Sequence, residues 1–143
     1  MGVLCDLILA DVTEASALAS ALPSDQRWRR WDCKGLDAVE LGKLDAILRR
    51  GEYEPSFVST CQEVAAGGDD GPWVFRVPSE TAARIAAIAD ADAQDIALAW
   101  AATPEFKWFK PAPIVAMQYL DALREASLLS EQSNLSVLMW MSL

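Results

Sequence analysis

Twenty-one aspartates and glutamates, and not one histidine, define the chemistry open to this 143-residue chain. Histidine is the commonest general acid–base and metal ligand near neutral pH. Its absence excludes Ser-His-Asp and Cys-His nucleophile systems, histidine-bearing zinc sites and proximal-histidine haem ligation. Carboxylate chemistry remains, and the chain offers two arrangements of it. Asp90, Asp92 and Asp95 begin like a calcium loop, but the sixth position lacks glycine and the twelfth is Ala101 instead of glutamate. Capping and an acidic first helical turn explain these three residues more simply. Asp11 and Asp32 could form a glycosidase-like carboxylate pair, although nothing in their spacing brings them together.

The other residue types with chemical potential are equally spare. Cys5, Cys33 and Cys61 form no CxxC pair and read as reduced, structural thiols with no zinc site. Gly67-Gly68-Asp69-Asp70-Gly71 lacks the spacing of a phosphate-binding loop, and its two acids would repel phosphate. It reads as a turn. The richest segment is aromatic. Trp100, Phe106, Trp108 and Phe109, interleaved with Lys107 and Lys110 and bounded by Pro104, Pro111 and Pro113, have two readings. They form either a stiff ledge of recognition anchors or a loop folded over the core by its own aromatics. Trp100, Phe106, Lys107, Trp108 and Phe109 are the candidate binding residues, with Trp108 first among them. No catalytic residue, metal ligand or cofactor site is assigned.

These residues must be positioned by a single domain spanning 1–143. Apolar residues make up 52% of the chain, which argues against disorder. Residues 3–11 (VLCDLILAD) read as a strand with Val3, Cys5, Leu7 and Leu9 on one face. Thr13 reads as the cap of an Ala-rich helix stopped by Pro23, followed by an irregular SDQRWRRWDCKG segment. The clearest helix begins at Asp37, with Glu40 as capping-box partner and Arg49, Arg50 and Gly51 at its end. Residues 52–66 admit a short strand around Phe57–Thr60 or a weak helix. A break at 67–72 leads into a strand at 73–77, a helix capped by Ser79, and a second helix at about 93–102. The aromatic loop follows, then a long helix over 114–129. The apolar segment 135–143 is a closing strand whose continuous core, Val137–Met141, calls for cover on both faces. The expected fold class is α+β: a small mixed or antiparallel sheet including 3–10, 73–77 and 136–142, packed by four or five helices.

Charge and hydropathy narrow the partners. A net charge of −9, spread over both halves, disfavours nucleic acid and suits a basic protein partner. The one cationic cluster, Arg27, Arg29, Arg30 and Lys34, reads as a solvated turn around Trp28 and Trp31. Apolar runs fall well short of the roughly 20 residues that span a membrane, and the amino terminus lacks the pattern of a secretion signal, so the expected location is cytoplasmic.

Several segments in order resemble the YfbM-like family of small bacterial proteins, a family of unknown function. They are the opening MGVLCDLILAD, the Trp31-Asp32 to Gly35-Leu36 step, GPWVFRVPSETAARIAAIAD, and the closing YLDALREA and SVLMWMSL. The chain departs in lacking the histidine that often follows the Trp-Asp step and in being shorter in its middle. The resemblance implies a bacterial α+β domain and carries no reaction or cofactor. The leading expectation is a non-enzymatic binding protein, one concrete form being an immunity protein that neutralises a toxin; a homo-oligomer is compatible with it. The alternative is a hydrolase or transferase that works through Asp/Glu carboxylates.

Overall fold

Two apolar runs distant in the sequence become neighbouring strands at the centre of a sheet. The computed structural model describes residues 4–20 and 27–143, with only the backbone at Lys107. Strands β1 (Leu4–Ala10), β2 (Arg29–Asp32), β3 (Glu63–Ala66), β4 (Trp73–Arg76) and β5 (Ser136–Ser142) form one sheet in the order β2-β1-β5-β4-β3. Every pairing is antiparallel, and β5 is the middle strand. Between the strands lie helices α1 (Ala15–Ser20), α2 (Ala38–Arg49), α3 (Phe57–Thr60), α4 (Ser79–Ala86), α5 (Asp90–Ala101) and α6 (Ala112–Gln132), with 3-10 turns at Val12–Glu14 and Pro104–Trp108.

The alternation of β1 and β5 splits the core in two. Cys5, Leu7, Val137 and Met139 face the larger cluster, which holds Leu41 and Leu44 of α2, Ile85 of α4, Trp100 of α5 and Leu120 and Leu123 of α6. Ile8, Ala10, Leu138 and Trp140 face the smaller one, covered by Leu18 of α1 and by Trp28. Burial of both faces explains why Val137–Trp140 is apolar without interruption. Asp45, only 3% exposed, ties α2 to α4 by accepting from Arg49 (2.7 Å), Arg84 (2.8 Å) and Thr81 (2.9 Å). Burial alone would raise its carboxyl; those donors hold it below the ordinary value.

The α+β class and the strands at 73–77 and 136–142 hold, while several local expectations are corrected. The RRWD segment is a strand, because its side chains find partners across the sheet: Arg30 donates to Asp6 at 3.0 and 2.7 Å and lies 5.6 Å over the Trp140 ring. The cationic cluster is thus drawn into ion pairs and stacking, with Arg29 paired to Glu125 and Arg27 3.9 Å over Trp28. Asp11, not Thr13, caps the first turn, accepting from the Thr13 N–H at 2.9 Å. The capping box of Asp37 and Glu40 is present. At the far end of α2 the left-handed residue is Arg50 (φ 55), with the Gly51 N–H returning to the Ala46 carbonyl at 2.9 Å. Pro78, not Ser79, precedes the first turn of α4. Phe57–Thr60 is helical, and β3 follows it with a bulge. Val3 and the stop at Pro23 lie outside the described residues.

Candidate functional site

A cleft of about 590 Å³ opens where the turn after β2, the connection from α5 to α6 and the first turns of α6 meet. Its inner wall begins with a turn closed by the Leu36 N–H donating to the Cys33 carbonyl at 2.9 Å. The third residue of that turn, Gly35, has φ +93, the conformation for which a type II turn requires glycine. A Cβ there would also meet Phe109 Cε1 at 2.7 Å, so glycine lets the ring close on the backbone. Asp32 stabilises the turn by accepting from the Lys34 N–H at 3.0 Å, and the Tyr119 hydroxyl donates to the Lys34 carbonyl. Burial pushes the Tyr119 phenol up, so it stays protonated and keeps that donation.

The aromatic segment divides between core and rim. Trp100 and Phe106 are fully buried, with ring centroids 4.8 Å apart, and the Trp100 indole N–H donates to the Glu40 carbonyl at 2.8 Å. As candidate contact residues these two are therefore corrected. The 3-10 turn at Pro104–Trp108 folds Phe106 inward onto Trp100, Phe109 (5.0 Å) and Tyr119 (6.2 Å), where both side chains exchange water for aromatic contacts. Phe109 is half-buried and lines the cleft. Trp108 stands on its rim, 80% exposed. Lys107 is in the same turn, its side chain outside the description.

Among the described residues, three carboxylates line the cleft. Glu40 is the most buried, 6% exposed, and its Oε2 accepts from the Asp37 N–H at 3.1 Å. Desolvation, aided by a hydrogen bond with Asp37 and the Asp37 charge, raises it from 4.5 to about 8, making it a neutral acid at pH near 7. Glu105 meets Lys43 at 3.4 Å through Oε1, while its buried Oε2 has no hydrogen-bond partner. Asp32 is exposed, as are Lys34 and Lys110 at the mouth. Glu40 and Tyr119 thus sit inward, Glu105 and Phe109 are half-buried, and Asp32, Trp108, Lys34 and Lys110 are exposed.

Other sequence candidates do not converge here. Asp11 is at the far end of β1 from Asp6, the residue opposite Asp32, so the two aspartates make no pair. Asp90 and Asp92 occupy the first turn of α5, and Asp90 pairs with Arg124 at 2.6 Å. Among the described residues no group of three or more Cys, Asp or Glu is placed to hold a metal ion. The sequence reading missed Asp32, Glu40 and Glu105 as a set, and Gly35 and Tyr119 as their framework. The one available signal was the Trp-Asp to Gly-Leu step, which marks the turn but not what closes over it. Comparison with family models, with curated proteins and with solved structures yields no match to the chain.

Proposed function

We propose that the protein is a non-enzymatic binding protein that recognises a basic protein partner at this cleft, with Trp108 as the anchor. The exposure of Trp108 carries the reading: a large, rigid aromatic held out at the mouth of a concave site is the residue type that dominates interface energetics. The net charge of −9 supports a basic partner by steering its approach. Neutralisation of a cationic toxin by an immunity protein of the cytoplasm is the concrete form we favour, and membership of the YfbM-like family belongs to the same proposal. The test is capture from native lysate with the wild-type chain and with Trp108→Ala. A protein enriched by the wild type and bound roughly 30-fold more weakly by the variant is expected, since a hot-spot tryptophan is worth about 2 kcal/mol or more. Identical captured sets would refute the reading.

A carboxylate-based hydrolase or transferase is the second reading. It is favoured by Glu40, raised to about 8 in one cleft with Asp32 and Glu105. Against it, Glu40 is already engaged in the capping box of α2. Turnover of an ester, phosphoester or glycoside panel, abolished by Glu40→Gln, would support it; no turnover dismisses it.

A further inference from the structure

The sheet ends in β3 on one side and β2 on the other, and the two edges differ. The register of β3 shifts between Glu63 and Ala65, a bulge that spoils the ladder another strand would need. β2 pairs with β1 in unbroken register, and the Cys33 N–H continues that ladder by donating to the Cys5 carbonyl at 2.9 Å. That bond fixes which way each backbone group points. Cys33, Trp31 and Arg29 turn their N–H and C=O groups toward β1, so those of Arg30 and Asp32 point outward. Among the described residues these outward groups have no backbone partner. An edge of this kind is completed by another strand.

We propose that this strand is β2 of a second copy, the two edges pairing antiparallel about a twofold axis at Trp31. Side chains set both the partner and the register. Arg30 and Asp32 share one face of the sheet with Asp6. Arg30 reaches Asp6 through Nε and Nη2, at 3.0 and 2.7 Å, which leaves Nη1 for another acceptor. Asp32 stands directly opposite Asp6, like charge beside like charge, and has no ion pair among the described residues. Of the registers that join the outward groups within β2, one sets Arg30 against Arg30 and a second sets Asp32 against Asp32, and both are repulsive. The third sets each Arg30 opposite Asp32 of the other copy and overlaps all four residues of β2. It supplies the missing cation twice. It also brings the two half-buried Trp31 rings together across the axis on the opposite face. The charge of −9 on each copy opposes the approach, so the dimer is weak.

The test is light scattering of the full-length protein between about 10 µM and about 1 mM, the range of a weak interface. A monomer–dimer equilibrium is expected. Asp32→Lys turns both cross-strand attractions into repulsions and should weaken the dimer by about tenfold or more. Asp32→Asn, which keeps the acceptor for the Lys34 N–H, should weaken it less. Trp31→Cys reports the register. At the axis the two Cα atoms would be about 4.5 Å apart, within disulfide reach, so this variant should cross-link to itself on oxidation. Asp32→Cys, opposite Arg30 and offset from its own copy, should not. The native Cys5, Cys33 and Cys61 are buried and do not compete. A monomer throughout, a dimer indifferent to Asp32→Lys, or a folded Trp31→Cys that cross-links no better than Asp32→Cys overturns the inference. If Trp31→Cys does not fold, Asp32→Lys decides alone. None of these measurements involves Trp108, so the reading of the cleft stands or falls separately.

Discussion

Trp100 and Trp108 bracket one short connection and have opposite fates. Trp100 comes from the last turns of α5, is sealed beneath Phe106 and Tyr119, and gives its indole N–H to the Glu40 carbonyl. Trp108 ends the following 3-10 turn and is 80% exposed. Both belong to the same aromatic cluster of the sequence. The difference teaches that aromatic density marks where a chain invests in rigidity, while the partner found by each polar handle decides which ring builds the domain and which faces outward.

The largest break in this comparison should come from Trp100→Ala. Removing a fully buried indole should destabilise the domain by about 4 kcal/mol in urea unfolding; a loss under about 1 kcal/mol would mean that Trp100 is not structural. Next comes Glu40, the joint between the regions, since its carbonyl holds Trp100 and its side chain lines the cleft. Its carboxyl is raised from 4.5 to about 8 in the folded chain. The stability it contributes is therefore fully present below the unfolded value and is lost as pH rises through about 8. Glu40→Gln, which keeps an acceptor for the Asp37 N–H, should flatten that decline between about pH 5 and about pH 8 in urea titrations. An unchanged slope would assign the decline to other groups. Smaller again is Tyr119→Phe, which removes the hydroxyl donating to the Lys34 carbonyl and should cost about 1 kcal/mol. Paired melts of variant and wild type would reveal it; equal stability would mean that Phe109 and Gly35 hold the cleft wall unaided. The smallest effect is expected from Trp108→Ala, at about 0.5 kcal/mol or less. A loss comparable to that at Trp100 would erase the distinction between core and rim.

What the sequence made legible was what local pattern determines. The Asp37–Glu40 capping box, the apolar runs of β1 and β5 and the long α6 follow from spacing alone. What stayed hidden depends on partners distant in the chain. Arg29–Asp32 carries no strand pattern of its own; Asp6 and Trp140 make it one. Trp100 reads as an anchor until the Glu40 carbonyl, sixty positions away, accepts a hydrogen bond from its indole N–H. The cleft draws Asp32, Glu40 and Glu105 from three separate elements, and no window of sequence holds them together. The sequence ranked Trp108 first in the aromatic segment but left exposed ledge and folded-in loop both open; the structure leaves Trp108 80% exposed at the rim.

The middle position of β5 has a kinetic meaning. β1 pairs with β2 on one side and β3 with β4 on the other, and the two ladders touch each other only through β5. Each ladder can close within its own stretch of chain, but neither belongs to a common sheet until residues 136–142 arrive between them. That insertion closes the longest loops in the molecule at once, joining Leu4 to Ser142 at one end of the ladder and Ala10 to Ser136 at the other. Because that closure costs the most chain entropy, this pairing is expected to be the last of the sheet to form. Until it forms, β1 and β4 each present an unmade edge, the state in which a nascent chain is most exposed to pairing with a stranger.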